Sequence, residues 1–320
     1  MTQDQKGYLL VFLGAAIWGL IGPFIVLMQD AGSTAELTGF LRIGFAFLIT
    51  VPIAIKKYGI SSFKINFRTF ISCLVMGILC FGAYNIAYGY AVDYLGVAGS
   101  SVLLRVSPIF GFITAMIFFH EGATKLKVFA ILVDIFGCAL VVTNGDFTVL
   151  QGNAMGIIIG TLAAFFYSLC AAAGRIAGDD TNAYVISAYS YLIGAIFLAV
   201  ALQPWATPIT VNAQIVGIGF IYALVATVTP YILYLKGIQL ISENSKVLVF
   251  ASVESIVAAI LGVALYHESL GVISVLGIVL VMASIGLMSV DPAELREKLG
   301  FNLLGQRKLA PVQSTRGQNR

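Results

Sequence analysis

Four charged residues lie within long apolar stretches of this 320-residue chain, where a charged side chain is unusual and indicates a specific role. Arg105, Asp134 and Glu254 lie near the middle of their stretches, and Arg42 lies nearer the end of its stretch. An ionised side chain at the centre of a membrane-spanning helix costs about 2.5–3.5 kcal/mol, and such residues bind ligands, relay protons or pair with one another. These four residues are therefore the candidates for binding a charged solute, carrying a proton or holding helices together.

Arg105 and Glu254 are predicted to meet, because the chain repeats itself. Residues 117–121 align with residues 264–268, a displacement of 147 residues. The same displacement sets Glu254 opposite Ser107, two positions from Arg105. Burial favours the neutral form of a carboxyl group and a neighbouring guanidinium favours its charged form, so small rearrangements change its protonation. Glu254 is thus the candidate proton-coupling residue, and a purely structural pairing with Arg105 is the alternative.

Arg42 and Asp134 are predicted to form structural ion pairs. The four buried charges sum to zero, which permits complete pairing within the membrane.

Two histidine-glutamate pairs, His120-Glu121 and His267-Glu268, contain side chains that bind metals. Neither pair is followed by a second histidine at the spacing of a zinc-protease helix. We expect these pairs to cap helix ends. The sequence predicts no metal site, no cofactor and no catalytic residue.

Aromatic and amide side chains on the apolar stretches are predicted to line a binding site. Tyr84 with Tyr88, and Tyr231 with Tyr234, are spaced so that each pair shares one helix face. Buried tyrosine hydroxyls need hydrogen-bond partners, which a polar solute can supply. The predicted substrate-binding residues are Trp18, Tyr84, Asn85, Tyr88, Arg105, Tyr167, Tyr231 and Tyr234. An aromatic belt at the membrane surface is the alternative for Tyr88, Tyr90 and Tyr234.

Prolines predict interruptions in three of the stretches. Pro23, Pro108 and Pro230 lie inside the first, fourth and eighth stretches, and a proline inside a helix removes a hydrogen bond and bends the axis. The ninth stretch contains no proline, so no matching interruption is predicted there. Irregular backbone at membrane depth is tolerated where protein or water satisfies it, so these points predict a cavity wall or hinge.

Ten apolar stretches, each near the length needed to cross a bilayer, carry these residues. They lie at residues 8–28, 37–55, 69–90, 96–119, 127–144, 154–174, 183–202, 213–235, 247–266 and 270–290. Sixteen lysines and arginines at or beyond the stretch ends fall on the side of the two termini, and the opposite loops carry none. Positively charged loops stay in the cytoplasm, so both chain ends are predicted to be cytoplasmic.

Equivalent residues of the repeat are separated by five stretches, so equivalent helices cross the membrane in opposite directions. Such inverted repeats place a substrate site near the bilayer midplane. The predicted fold is an all-α integral membrane protein with ten transmembrane helices in a five-plus-five inverted repeat. Its predicted parts are a first repeat over residues 1–150, a second over 151–292 and a cytoplasmic tail over 293–320.

The composition excludes a soluble fold, because 59% of the residues are hydrophobic and 10% are charged, whereas charged residues supply about a quarter of a soluble domain. The net charge of +3 follows from the basic inner loops, so no nucleic-acid partner is predicted. The first apolar stretch does not read as a cleavable signal. These features favour a multi-pass protein of a prokaryotic plasma membrane, surrounded by lipids.

The order of these features over residues 8–290 resembles the drug/metabolite transporter superfamily, and within it the EamA-type ten-helix transporters. The residues that carry the resemblance, besides the repeat, are Trp18-Gly19, Arg42, Pro108 with Glu121, and Glu254-Ser255 with Glu268. The resemblance implies a central site lined by the first, third, fourth, sixth, eighth and ninth helices. It also implies alternating access and a substrate among amino acids, amines, nucleosides, sugar-linked compounds and drugs.

The predicted function is secondary transport of a small amino-acid-like or amphipathic metabolite, outward, by alternating access and with proton exchange at Glu254. A passive channel and a non-transporting membrane scaffold are the alternatives. An intramembrane enzyme is less favoured, because no serine lies in a Gly-x-Ser-x-Gly setting and both histidines lie at helix ends.

Overall fold

The computed structural model describes residues 1–151, 154–206, 211–266 and 271–289. These residues contain ten helices long and apolar enough to cross a membrane. In chain order the helices, α1 to α10, are Gln3–Asp30, Ala35–Tyr58, Phe67–Val97, Gly99–Phe119, Lys125–Thr143, Ala154–Gly178, Ala183–Leu202, Ala213–Leu240, Asn244–Tyr266 and Val272–Ser289. The predicted all-helical membrane fold with ten spans is confirmed. The predicted tail 293–320 and the pair His267-Glu268 lie outside the described residues.

The regular elements of the described residues are all helical, with short 3-10 turns at Ile60–Phe63 and Phe147–Leu150. Besides Thr2, which caps α1, polar side chains fix where five further helices begin, because each accepts a hydrogen bond from a first-turn N–H group that has no partner within the helix. These capping residues are Thr34, Asn66, Thr124, Asn182 and Asn212, before α2, α3, α5, α7 and α8. The apolar stretches begin one to three residues after these caps.

Three of the spans are interrupted near their middle. The interruptions fall at Gly19 and Leu20 in α1, at Arg105 and Val106 in α4, and at Ser252 in α9. Those in α1 and α4 confirm the expectations from Pro23 and Pro108. In α8, a wide π-helical turn at Leu224–Val228 precedes Pro230, which opens the regular helix Thr229–Leu240.

The interruption in α9 was not expected, because no proline lies there. The Ser252 hydroxyl bonds the Leu248 carbonyl at 3.2 Å, and a serine that bonds the carbonyl four residues earlier bends a helix. Ser252 is 147 residues after Arg105, so both halves of the chain are interrupted at equivalent positions. A side-chain hydrogen bond therefore accounts for the interruption of α9, whereas a proline contributes to the interruption of α4.

Close helix contacts bring the interruptions together. α1 packs along α8, α3 along α6 and α2 along α7, while α4 lies against α6 and α9 against α1. A Cβ atom on Gly7 would lie 2.8 Å from the carbonyl oxygen of Gly237, so α1 and α8 touch through their backbones. Small residues at such crossings allow this approach within a membrane.

Candidate functional site

Arg105 and Glu254 meet, as their spacing predicts. The Arg105 Nη2 atom lies 3.3 Å from Glu254 Oε1, with 14% and 18% of the two side chains exposed. Arg105 is the residue at which α4 is interrupted, and Glu254 follows the interruption of α9 by two positions. The regular helices Ser107–Phe119 and Val253–Tyr266 begin beside this pair. Their N-terminal ends carry partial positive charge that favours an anion.

Arg42 is buried among neutral partners. Its Nη1 atom donates to the Tyr222 hydroxyl and its Nη2 atom to Asn85 Oδ1, both at 3.3 Å. Its guanidinium carbon lies 5.6 Å from the centre of the Tyr222 ring. The expectation of an ion pair is wrong for the part of the chain that the structure describes. The positive charge of Arg42 is stabilised instead by the Asn85 amide oxygen, the Tyr222 hydroxyl and the face of the Tyr222 ring.

Asp134 also differs from its predicted ion pair. The residue is fully buried, and its carboxyl oxygens lie at hydrogen-bond distance from the hydroxyls of Ser252, at 2.6 Å, and Ser284, at 2.8 Å. No lysine or arginine nitrogen of the described residues lies within ion-pair distance of it. The reason is geometric: Asp134 meets serines of α9 and α10, and Glu254 already holds Arg105.

A first aromatic cluster surrounds Trp18. Its ring centre lies 4.8 Å from that of Tyr231 and 5.0 Å from that of Tyr234. Tyr231 also contacts Phe81 edge-on, at 4.9 Å. Tyr234 is 1% exposed, so it does not belong to an aromatic belt at the membrane surface. Phe81 and Tyr191 complete this cluster, and the sequence did not single them out because both read as ordinary apolar helix residues.

A second aromatic cluster lies on α3 and α6. The Tyr84 ring centre is 5.9 Å from that of Tyr88 and 5.6 Å from that of Tyr167. The Tyr88 hydroxyl hydrogen-bonds Ser101 at 2.9 Å, so its polar end is satisfied inside the protein. Tyr90, in contrast, is 55% exposed, as expected for a residue of an interfacial belt.

Three buried N–H donors in this region find no acceptor among the described residues. They are Trp18 Nε1, Arg42 Nε and Arg105 Nε. Buried polar groups are nearly always hydrogen-bonded, so such donors indicate an acceptor-rich ligand or water. Arg105 is paired with the Glu254 carboxylate, whereas Arg42 has a phenol and an amide as hydrogen-bond partners. The region therefore carries an excess of positive charge and of donors.

An ion-pair network holds one end of the bundle together. Glu121, after α4, pairs with Arg175 of α6 at 3.1 Å, and it accepts hydrogen bonds from the N–H groups of Asn244 and Ser245 at the start of α9. Glu121 was expected to cap a helix end; the end it caps is the start of a different helix. His120 takes a left-handed conformation at the end of α4.

Glu243 extends this network. It pairs with Lys127 of α5 at 2.9 Å and with Lys246 of α9 at 3.2 Å. Partial burial opposes the charged form of Glu243, but the hydrogen bonds and charges of these two lysines prevail and hold the pKa of its carboxyl below its usual range. Asp4 of α1 joins the same end, because its carboxylate accepts a hydrogen bond from the Ser242 hydroxyl at 2.6 Å. These contacts connect α1, α4, α5, α6 and the start of α9 at this end of the bundle.

The fold of the described residues defines a multi-pass membrane protein of the all-helical, ten-span class. The model of the EamA-like transporter family matches residues 5–143 and again residues 154–290, and the chain belongs to that family. A protein of this family is a transporter and not an enzyme.

Relatives with the same description occur in bacteria and archaea. The uncharacterised transporter YyaM of Bacillus subtilis is 25% identical over 70% of this chain and 74% of its own length. The uncharacterised inner membrane transporter YicL of Salmonella typhimurium is 25% identical over 83% of this chain and 89% of its own length. An uncharacterised transporter of Archaeoglobus fulgidus is 23% identical over 83% of this chain and 90% of its own.

A crystal structure of another protein superposes with a TM-score of 0.75 over 88% of this chain and 97% of that one. The two chains are 11% identical, so the likeness concerns the fold alone.

Proposed function

We propose that this protein exports a small amphipathic metabolite with a carboxylate group, such as an amino acid, by alternating access. The observation that carries the proposal is the excess of guanidinium over carboxylate beside the two aromatic clusters. A guanidinium binds a carboxylate with two parallel hydrogen bonds. The unpartnered donors of Arg42 and Arg105 suit such a group, and the aromatic rings suit the apolar part of the solute.

The predicted binding residues take complementary roles in this proposal. Arg105, with Arg42, attracts the carboxylate. Asn85 and Tyr88 add polar contacts at the same level. The aromatic walls are formed by Trp18, Tyr84, Tyr167, Tyr231 and Tyr234. The half-helices that begin at Ser107 and Val253 add partial positive charge, as broken helices do in other transporters of anionic substrates.

The proposed topology has both ends of the chain in the cytoplasm and two inverted repeats, residues 1–150 and 151–292, followed by a cytoplasmic tail. The distribution of lysines and arginines supports the orientation. Two features support the repeat: α1 packs along α8 as α6 packs along α3, and α4 and α9 are interrupted 147 residues apart. The proposed location is the cell membrane of a prokaryote, which the bacterial relatives fit.

Alternating access requires one end of the bundle to close while the other opens. In the proposed orientation, the network of Glu121 and Glu243 closes the cytoplasmic end in this conformation. A network of ion pairs and exposed carbonyls can open and re-form without disturbing an apolar core.

Proton coupling is proposed at Glu254. In the present conformation Arg105 compensates its charge. When the two side chains separate, an unpaired carboxylate at this depth takes up a proton instead. Export would then follow from proton entry in the opposite direction.

Thermal unfolding of the purified protein tests the binding proposal, since a ligand that binds the folded state alone raises its stability. The panel pairs each amino acid with its carboxamide, which has the same side chain and no carboxylate. We expect stabilisation by one or more carboxylates and not by the matching amides. The effect should be lost in Arg42→Ala and Arg105→Ala and kept in Arg68→Ala, a surface arginine that pairs with Asp179. Equal stabilisation by acid and amide would overturn the proposal.

A further inference from the structure

Asp134 lies in a polar cluster between three helices that the proposed binding site does not use. Its carboxylate, on α5, contacts the hydroxyls of Ser252 on α9 and Ser284 on α10. α5 and α10 touch closely here, because a Cβ atom on Gly277 would lie 2.6 Å from the Gly137 carbonyl oxygen. Asp134 and Ser284 are fully buried, and Ser252 is 4% exposed.

The charged and titratable groups around Asp134 are few. From α4, the charge of Arg105 acts on it, and Cys138 lies near it on α5 itself. α9 contributes Glu254, which is paired with Arg105. The described residues of α10, Val272–Ser289, contain no titratable side chain. No group in this set forms an ion pair with Asp134.

The hydrogen bonds that form around Asp134 depend on whether its carboxyl carries a proton. Each serine hydroxyl has one hydrogen, and each oxygen has two acceptors within reach. Ser252 faces Asp134 Oδ2 at 2.6 Å and the Leu248 carbonyl at 3.2 Å. Ser284 faces Asp134 Oδ1 and the Val281 carbonyl, both at 2.8 Å. If the carboxyl is ionised, the Ser252 hydrogen can bond the carboxylate or the Leu248 carbonyl but not both; a proton on Asp134 lets the acid donate to Ser252 while Ser252 donates to Leu248.

We propose that Asp134 is a second proton-binding site of this transporter and holds a proton in the present conformation. An ionised carboxylate with no cation partner is costly to bury, whereas a neutral acid between two hydroxyls is fully hydrogen-bonded. The ligand assigned is a proton, because the serine hydroxyls lie at hydrogen-bond distance from the carboxyl group.

Asp134 is placed to communicate with the proposed coupling residue. Its partner Ser252 is the residue at which α9 is interrupted, two positions before Glu254. The inference rests on the proposed function in one respect, the coupling role of Glu254. When Glu254 gains a proton, its O–H bond forms and Arg105 loses its partner. The guanidinium can then compensate Asp134, whose O–H bond breaks as the proton passes to water.

Infrared spectroscopy of the full-length protein in lipid tests the site without any substrate. A protonated aspartic acid has a carbonyl stretching band that shifts in D₂O and disappears on ionisation. We expect such a band in the wild type, with its intensity falling as the pH is raised, because deprotonation removes the acid. The band should be absent in Asp134→Asn and retained in Asp30→Asn, which changes an exposed residue of α1.

Three results would overturn the inference. The band could persist in Asp134→Asn, it could stay constant over the whole pH range, as for a permanently protonated structural acid, or sodium could remove it at constant pH, which would assign a sodium site. If Asp134→Asn does not fold, Ser252→Ala keeps the carboxyl and removes one partner, and it should shift both the band and its titration midpoint. Glu254→Gln should retain the band. Loss of the coupling proposal at Glu254 would therefore leave proton binding at Asp134 unaffected, and the two proposals can be tested independently.

Discussion

The Arg105 guanidinium and the Glu254 carboxylate face each other at 3.3 Å, each beside an interruption of its own helix. The interruptions lie 147 residues apart, which is the displacement of the internal repeat. The pair thus joins equivalent points of α4 and α9, and both side chains remain partly exposed. An ion pair at such a position holds the two helices together in one conformation and releases them in another.

Removing either member of this pair should destabilise the protein. Arg105→Ala and Glu254→Gln each leave one charge without compensation, at a cost below the roughly 3–5 kcal/mol of a fully buried pair because both side chains are partly exposed. The double variant should be more stable than the sum of the two single effects predicts. Thermal unfolding of the four proteins gives this coupling energy as a double-mutant cycle. Additive effects would show that the pair contributes no interaction energy.

Arg42 should determine affinity for the carboxylate of the substrate. Arg42→Lys keeps the charge but cannot reproduce the planar fork that reaches Tyr222 and Asn85. We expect binding of a carboxylate ligand to weaken about tenfold or more, equivalent to about 1.4 kcal/mol, with Arg68→Lys as the control. Calorimetric titration of the purified variants measures the change. Unchanged affinity in Arg42→Lys would remove this residue from the binding site.

Glu121 should control which end of the bundle is open. Glu121→Gln keeps one oxygen, which can accept from the N–H group of Asn244 or of Ser245 but not from both, and it loses the charge that holds Arg175. The closed end should therefore open more often. A cysteine introduced at Ser245, which is buried in the closed end, should react faster with a water-soluble thiol reagent in the Glu121→Gln background. Equal labelling rates in both backgrounds would contradict the proposed closure.

Glu243 should make stability depend on pH in the acid range. Its folded-state pKa is lowered, so its contribution to stability is present above the unfolded value of about 4.3 and is lost as the pH falls through the folded value. Glu243→Gln should remove that part of the acid destabilisation, whereas Glu36→Gln, at an exposed position, should not. Unfolding temperatures measured against pH compare the three proteins. A Glu243→Gln profile parallel to the wild type would show that the lysine contacts are not formed.

The sequence predicts the spans well, because apolar length and loop charge are local properties. The meeting of Arg105 and Glu254 was also predictable, since the repeat relates their depths. The partners of Arg42 and Asp134 were not, because they depend on how each helix is rotated about its axis. Charge balance suggested ion pairs, and the fold instead supplies Tyr222, Asn85 and two serines.

The interruption at Ser252 was missed for a related reason. A helix interruption at a proline can be predicted from the sequence, whereas a serine bends a helix only when its hydroxyl hydrogen-bonds the backbone. Glu121 likewise read as a cap for its own helix, and its contact with the start of α9 depends on tertiary packing.

Uptake by the purified protein in lipid vesicles tests the central claim most directly. A labelled amino acid that stabilises the protein is supplied at the same concentration inside and outside the vesicles, and a pH gradient is imposed across the membrane. The account predicts movement of the amino acid against its concentration gradient, driven by the proton gradient and abolished in Glu254→Gln. Equilibration without accumulation would indicate a channel, and accumulation that persists in Glu254→Gln would contradict proton coupling at this residue.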